Sequence, residues 1–155
     1  MISTTIATQW HSYDDIEVGS TFQGFGRTIT EAEIVMITAM TTGFHQPLHT
    51  NSQWVAENTQ FPGVLLPGAV IISYAIGQLS STLIYSTITI AMVGIDKVRA
   101  IKPVCAGDTI NARATVVLKR RTSASDRGIL ELAVEVFNQS GAVVMTFDYV
   151  LMVRA

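Results

Sequence analysis

Charge is scarce in this chain: only 14% of residues are Asp, Glu, Lys or Arg, against 48% that are apolar. The formal balance of -2, with no basic run longer than Lys119-Arg120-Arg121, argues against a nucleic-acid partner, whose phosphates call for a cluster of Lys and Arg. One cysteine, Cys105, excludes an internal disulfide and suits a reducing compartment. Met1 to Gln9 has neither a basic start nor a long apolar core, so no secretory signal is read there and the cytoplasm is the expected location. So little charge is unusual for a soluble monomer, and a second copy is expected to cover part of the surface, as a homodimer or higher homo-oligomer. The chain of 155 residues has no internal repeat or linker and is long enough to bury a core without metal or disulfide. Its expected organisation is an N-terminal arm over 1–12, anchored by Trp10 and Tyr13, and a single domain over 13–155.

Between Glu57 and Asp96 formal charge is absent altogether, and Pro67 to Ser86 (PGAVIISYAIGQLSSTLIYS) is the most apolar part of that stretch. Apolar residues on every side of the helical wheel, from Val70 and Ile71 to Leu83 and Ile84, predict one helix enclosed by other structure. Proline suits its first turn. A membrane span is the competing reading, but Ser73, Gln78, Ser80, Ser81 and Thr82 interrupt the run short of the roughly 18–20 apolar residues a bilayer needs.

Around this helix the pattern is mostly that of strands. Ser20 to Thr28 reads as a short strand weakened or bulged by Gly24 and Gly26. Thr30 followed by Glu33 is a capping box opening a helix from Glu31 to about Thr41, with Gly43 placed to stop it. Thr50 to Glu57 reads as a short helix capped by Thr50 or Asn51. Ile88–Ala100, Thr109–Arg121, Gly128–Asn138 and Ala142–Arg154 then have strand character. In the second of these, Ile110, Ala112, Ala114, Val116 and Leu118 share one face and Asn111, Arg113, Thr115 and Lys119 the other, which marks one buried side. Asn138 to Gly141 is hairpin chemistry. An antiparallel sheet with one apolar face must cover something, and the apolar helix is available, so the fold class is α+β, with about five strands wrapped round a long central helix.

Candidate chemistry is concentrated in Thr42 to Thr50 (TGFHQPLHT), where His45 and His49 lie in a loop with Gly43 and Pro47. His49 is a candidate acid or base, since imidazole takes and returns a proton near neutral pH; capping or packing is the plainer alternative. The spacing of His45 and His49 suits metal binding on a helix. Pro47 between them is expected to prevent that helix, and no Cys or third His lies nearby, so no metal site is assigned.

TGFHQPLHT, followed by FPGVLLPG and later by VRAIKPVCAGDTI, resembles the MaoC-like dehydratase family, which includes the (R)-specific enoyl-CoA hydratases. The resemblance runs from Tyr13 to Arg154 and implies a hot-dog fold, pairing through the sheets, and addition or removal of water on an acyl thioester carried by CoA or an acyl-carrier protein, without a cofactor. The family loop reads G-D-x-N-P-L-H. On that pattern His49 takes the place of the catalytic His and Gln46 that of the Asn, while Phe44 stands where the catalytic Asp is expected. The following His-Gly becomes Pro67-Gly68, retaining the glycine whose N–H would polarise the thioester carbonyl.

What the resemblance implies is therefore a divergent hydro-lyase, with His49 and Gly68 as catalytic residues and Phe44, His45, Gln46, Pro67 and Tyr74 lining the substrate site. His45 would be a substitute acid if the loop turned it inward. Because Phe cannot move a proton, a second reading keeps the fold without hydration: a non-catalytic partner subunit, or an enzyme recruited to another reaction. A thioesterase is weaker still, since the long helix carries no carboxylate. Lys97, Arg99 and Lys102 lie in a region where substrate phosphates approach in the family, beside the plainer reading of a solvated strand edge. Cys105 is read as structural.

Overall fold

The computed structural model describes residues 9–41, 46–124 and 126–155. Along the chain it contains β1 (Thr21–Gln23), β2 (Arg27–Thr28), α1 (Glu31–Thr41), α2 (Pro47–Thr50), α3 (Ser52–Asn58), α4 (Gly68–Ser80), β3 (Thr89–Ala100), β4 (Thr109–Arg121), β5 (Arg127–Phe137) and β6 (Val143–Arg154). The strands form one antiparallel sheet in the order β1-β4-β5-β6-β3, with β2 also paired to β4. Alternation largely does what the sequence pattern predicts: Ile110, Ala112, Ala114 and Val116 of β4, Leu130, Leu132, Val134 and Val136 of β5, and Phe147, Tyr149, Leu151 and Val153 of β6 are all buried, while Leu118, expected on the same face of β4, is only half-buried because the register shifts between Val116 and Leu118. Val70, Ile71, Ala75 and Leu79 of α4 join the same core, giving the α+β sheet wrapped round a helix. Removing one such side chain from water stabilises the fold by about 1.5–3 kcal/mol, so the sheet and α4 hold each other in place.

The strand expected over Ser20–Thr28 is divided into β1 and β2 because α4 passes too close. A methyl group placed on Gly24 would lie 2.7 Å from both Cβ and the carbonyl oxygen of Gln78, so only glycine fits there. In the gap, the buried Gln78 amide replaces the lost strand contacts: Nε2 donates to Ile110 O (3.0 Å) and Oε1 accepts from Ala112 N (2.8 Å).

The long helix is shorter than the expected Pro67–Ser86. It begins at Gly68, with Pro67 as its N-cap, and stops at Ser80. Hydroxyls end it: Ser81 Oγ donates to Gln78 O and Thr82 Oγ1 to Leu79 O, and Leu83 turns left-handed at φ 62°. Such local bonds compete with continuation of the helix. Among the described residues no helix is long and apolar enough to cross a membrane.

The N-terminal side is anchored as expected. Trp10 and Tyr13 are buried, and Trp10 packs edge-on against Phe22 with ring centroids 5.7 Å apart. The capping box at Thr30 is formed in both directions: Glu33 N donates to Thr30 Oγ1 (3.2 Å) and Thr30 N to Glu33 Oε2 (2.9 Å). Gly43, assigned to stop α1, lies outside the described residues.

Glu33 also pairs with the Arg27 guanidinium. That partner first, then the Thr30 N–H and hydroxyl, holds its carboxyl at about 2, well under its ordinary 4.5. A carboxyl depressed in the folded state contributes stability above its unfolded pKa and loses it as pH falls through the folded value. The gap in thermal midpoint between wild type and Glu33→Gln is therefore expected to narrow as pH drops from about 4.5 to about 2. A gap that stays constant over that range would remove the ion pair from the account.

Candidate active site

Pro47, expected to prevent one helix from carrying both His45 and His49, stands at the first helical position of the single turn of α2 with Gln46 extended before it, and its missing N–H is no loss there. His49 N donates to Gln46 O (3.0 Å) within that turn. Asn51 then caps α3, its Oδ1 accepting from Trp54 N at 2.9 Å. Two hydrogen bonds clasp α2 to the stretch before α4: Leu65 N donates to Leu48 O (3.1 Å), and the His49 ring is bonded through Nδ1 to Leu65 O (2.8 Å). A carbonyl can only accept, so Nδ1 carries the hydrogen and neutral His49 keeps a lone pair on Nε2. The half-buried ring is thereby fixed in both tautomer and direction.

Leu65 is itself held from the other side. Leu66 N donates to Val104 O (2.8 Å), and Leu65 bridges Cys105. Pro67 is buried, with φ -58° and ψ 138°, and aims the chain into α4. Gly68 and Ala69 follow, both exposed. Among the described residues neither N–H donates to an acceptor of the chain, as expected at the first positions of a helix. These two donors, aligned with the helix dipole, suit an oxygen that gains negative charge. Behind them, a methyl on Gly68 would sit 3.7 Å from Met145 Cε. Leu65 and Gly68 are three steps apart along the chain, at most about 10 Å, so the imidazole anchor and the open donors belong to one locality.

Of the expected site residues, His49 is tied to the stretch that leads through Pro67 to Gly68, with Gln46 exposed at the N-cap of α2. Phe44 and His45 lie outside the described residues. Tyr74 faces another group: its hydroxyl donates to Glu33 Oε1 (3.4 Å), and the Arg27 guanidinium lies over its ring at 5.1 Å. Burial, followed by the Glu33 charge, pushes the Tyr74 hydroxyl pKa up. Two contributors escape sequence reading. Leu65 acts through its backbone carbonyl, which no side-chain pattern marks, and Met145 reads only as a core position of β6.

With the geometry established, comparison with known proteins decides the family. The MaoC like domain matches residues 17–136. The chain belongs to this family. The solved structure of a monoamine oxidase regulatory protein from Archaeoglobus fulgidus is 32% identical to this MaoC-like chain, covering 96% of it and 97% of that chain with a TM-score of 0.86. A protein of Mycobacterium tuberculosis described as having a double hot-dog fold is 26% identical over 93% of this chain and 44% of its own, with a TM-score of 0.80. The (R)-hydratase of A. caviae involved in PHA biosynthesis shares the fold at 24% identity, covering 88% and 96% of the two chains with a TM-score of 0.70. No curated protein matches this MaoC-like sequence.

Two other readings of this MaoC-like site can be compared with its geometry. Among the described residues no group of three or more His, Cys, Asp or Glu is gathered as metal ligands would be. Cys105 is buried, with Sγ 3.7 Å from Gly63 O, and burial, then the Asp108 charge, pushes its thiol pKa up. That disfavours the thiolate a nucleophile requires.

Proposed function

We propose that this MaoC-like protein adds water to, or removes it from, an acyl thioester, with His49 as the base and the Gly68 N–H as donor to the thioester carbonyl. The observation carrying this reading is the His49 Nδ1 to Leu65 O bond, which leaves a directed lone pair at Nε2. In the hydration direction Nε2 takes a proton from water, the hydroxide oxygen bonds to C3 of the enoyl chain, and the C2=C3 electrons move onto the carbonyl oxygen. Gly68 N–H stabilises that enolate. The His49 proton then passes to C2, so the two hydrogens and one oxygen of water are all accounted for. With Phe44 where the family has its acid, a single imidazole performs both transfers.

The test is a spectrophotometric assay with crotonyl-CoA and longer enoyl thioesters on wild type, Gly68→Ala and Gly68→Pro. Gly68→Ala keeps the N–H, and its methyl fits against Met145, so activity is retained. Gly68→Pro replaces the N–H with a ring methylene and leaves the backbone path intact: Pro67 already holds ψ 138°, the geometry required before a proline, and proline is accepted at the first helical position. Loss of one such donor is expected to lower kcat by roughly 10²–10³-fold. Full activity in Gly68→Pro would overturn the donor's role, and no turnover of any enoyl thioester by wild type would overturn the hydratase reading.

Phe44 favours one alternative, a non-catalytic subunit. Isolation of a stable complex with a second hot-dog chain carrying the missing Asp would support it. For the hydratase, the proposed partner is a second copy on the outer edge of β3, the last strand in the sheet order, where Ile90, Met92 and Val93 are 44%, 57% and 53% exposed. Unpaired apolar edges of that kind invite strand pairing. Sedimentation at the mass of one chain would exclude it.

A further inference from the structure

We infer that the cleft between the N-terminal segment and the end of β6 binds a small carboxylate with an apolar body. The cleft measures about 240 Å³ and is lined by His11, Ser12 and Tyr13 together with Thr87, Ile88 and Arg154. Sites for drug-sized ligands run from roughly 300 to 1,000 Å³, so this one suits a molecule of a few carbon atoms. It stands apart from the candidate active site and does not rest on the thioester reading. Gly68 opens α4, whereas Thr87 and Ile88 follow its far end beyond Ser80, about 18 Å along the helix axis.

Arg154 is exposed, but its side chain is held against this cleft. Its main-chain N donates to Ile88 O (2.8 Å) and its Nη2 to Thr87 O (2.9 Å), which leaves Nε and Nη1 uncommitted among the described residues. No carboxylate of those residues lies within ion-pair distance of the guanidinium. Asp15, in the turn beside the cleft, has its Oδ2 engaged by His11 N (2.8 Å) and Ser12 N (2.9 Å). Those bonds fix the main chain of His11, whose imidazole has no hydrogen-bond partner among the described residues. A guanidinium edge matches both oxygens of one carboxylate, and an imidazole N–H can add a further bond. Tyr13 and Ile88, only 6% and 2% exposed, supply an apolar floor. A carboxylate on the donors with a short alkyl body over that floor satisfies both kinds of wall, whereas inorganic phosphate would use the donors and leave the floor wet. Seated there, the ligand joins the N-terminal segment to the last strand, beside the bonds that already hold it, Trp10 N to Ile84 O and Thr87 Oγ1 to Trp10 O (both 2.7 Å).

The experiment titrates butyrate, its neutral counterpart butyramide, and inorganic phosphate into wild type, Arg154→Ser and His11→Ala, following backbone amide signals by NMR and the thermal midpoint in parallel. Butyrate is expected to bind wild type saturably, with Kd of about 1–10 mM, to shift the signals of Ser12, Tyr13, Ile88 and Arg154, and to raise the midpoint, as a ligand of the folded chain does. Butyramide and phosphate are each expected to bind at least about 10-fold more weakly, Arg154→Ser to lose about 10-fold or more in butyrate affinity, and His11→Ala about 3-fold. No saturable shift of those signals in wild type overturns the proposal, as does equal affinity for butyrate and butyramide. Equal butyrate affinity of wild type and Arg154→Ser also overturns it; if Arg154→Ser does not fold, unchanged affinity in His11→Ala together with equal binding of the amide has the same force. Phosphate binding as tightly as butyrate overturns the choice of a carboxylate with an apolar body. Butyrate that instead shifts the signals of His49 and Gly68, or competes with crotonyl-CoA for turnover, belongs to the thioester site and overturns this one while leaving the hydratase reading in place.

Discussion

His49→Ala is expected to lower kcat/KM for enoyl-thioester hydration by roughly 10²–10⁴-fold while leaving the fold intact. The ring is half-buried and, among the described residues, makes one polar contact, to Leu65 O. The companion bond, Leu65 N to Leu48 O, uses only main chain and survives the substitution, so α2 stays attached. His49→Asn separates positioning from proton transfer, since its amide nitrogen takes the place of Nδ1 and can donate to the same carbonyl but is not basic. Activity should fall as far in Asn as in Ala, with a melting temperature closer to wild type. Wild-type rates in either variant would mean that another group moves the proton, and Nε2 would lose its assignment.

The largest stability effect is expected at Gln78→Leu, at about 2–6 kcal/mol. The leucine fits the apolar surroundings but leaves Ile110 O and Ala112 N without their partners, and each buried group left unmade costs about 1–3 kcal/mol. Against a total stability of about 5–15 kcal/mol, that is a sizeable share. Gly24→Ala attacks the same contact from the other side, because its methyl would meet Gln78 backbone as well as side chain at 2.7 Å. Urea unfolding of the two single variants and the double variant measures the coupling. A cost for Gln78→Leu within about 0.5 kcal/mol of zero, the range of ordinary surface changes, would show that the edge closes without the amide.

What the sequence made legible was local pattern. Alternation placed β4, β5 and β6, the Thr30–Glu33 capping box placed α1, and the Asn138–Gly141 hairpin formed with Asn138 Oδ1 accepting from Ser140 N and Ala142 N. The misjudged points are those where a distant contact or a backbone group decides. Hydroxyl bonds near Ser81 and Thr82 end α4 although the apolar run continues. Gly24 and Gly26 marked the weak point of the first strand, but the close approach of α4 that separates β1 from β2 there has no local signal. The contacts of Tyr74 with Glu33 and Arg27 were not legible either, because helix phase alone does not tell which neighbour faces a residue. His49 was found by residue type and motif, but its tautomer depends on a carbonyl sixteen positions away, which no side-chain pattern encodes.

The Gln78 amide also gives α4 a fixed phase. One end of the helix presents Gly68, and further along Gln78 is bolted to two specific backbone groups of β4. Each residue of an α-helix advances about 1.5 Å and turns about 100°. Inserting or deleting a single residue between those two points would therefore leave Gln78 seated and swing Gly68 by about 100°, or seat Gly68 and swing the amide away from its partners. The helix behaves as a gauge of set length and twist, which should tolerate changes of side chain between its ends far better than any change of spacing.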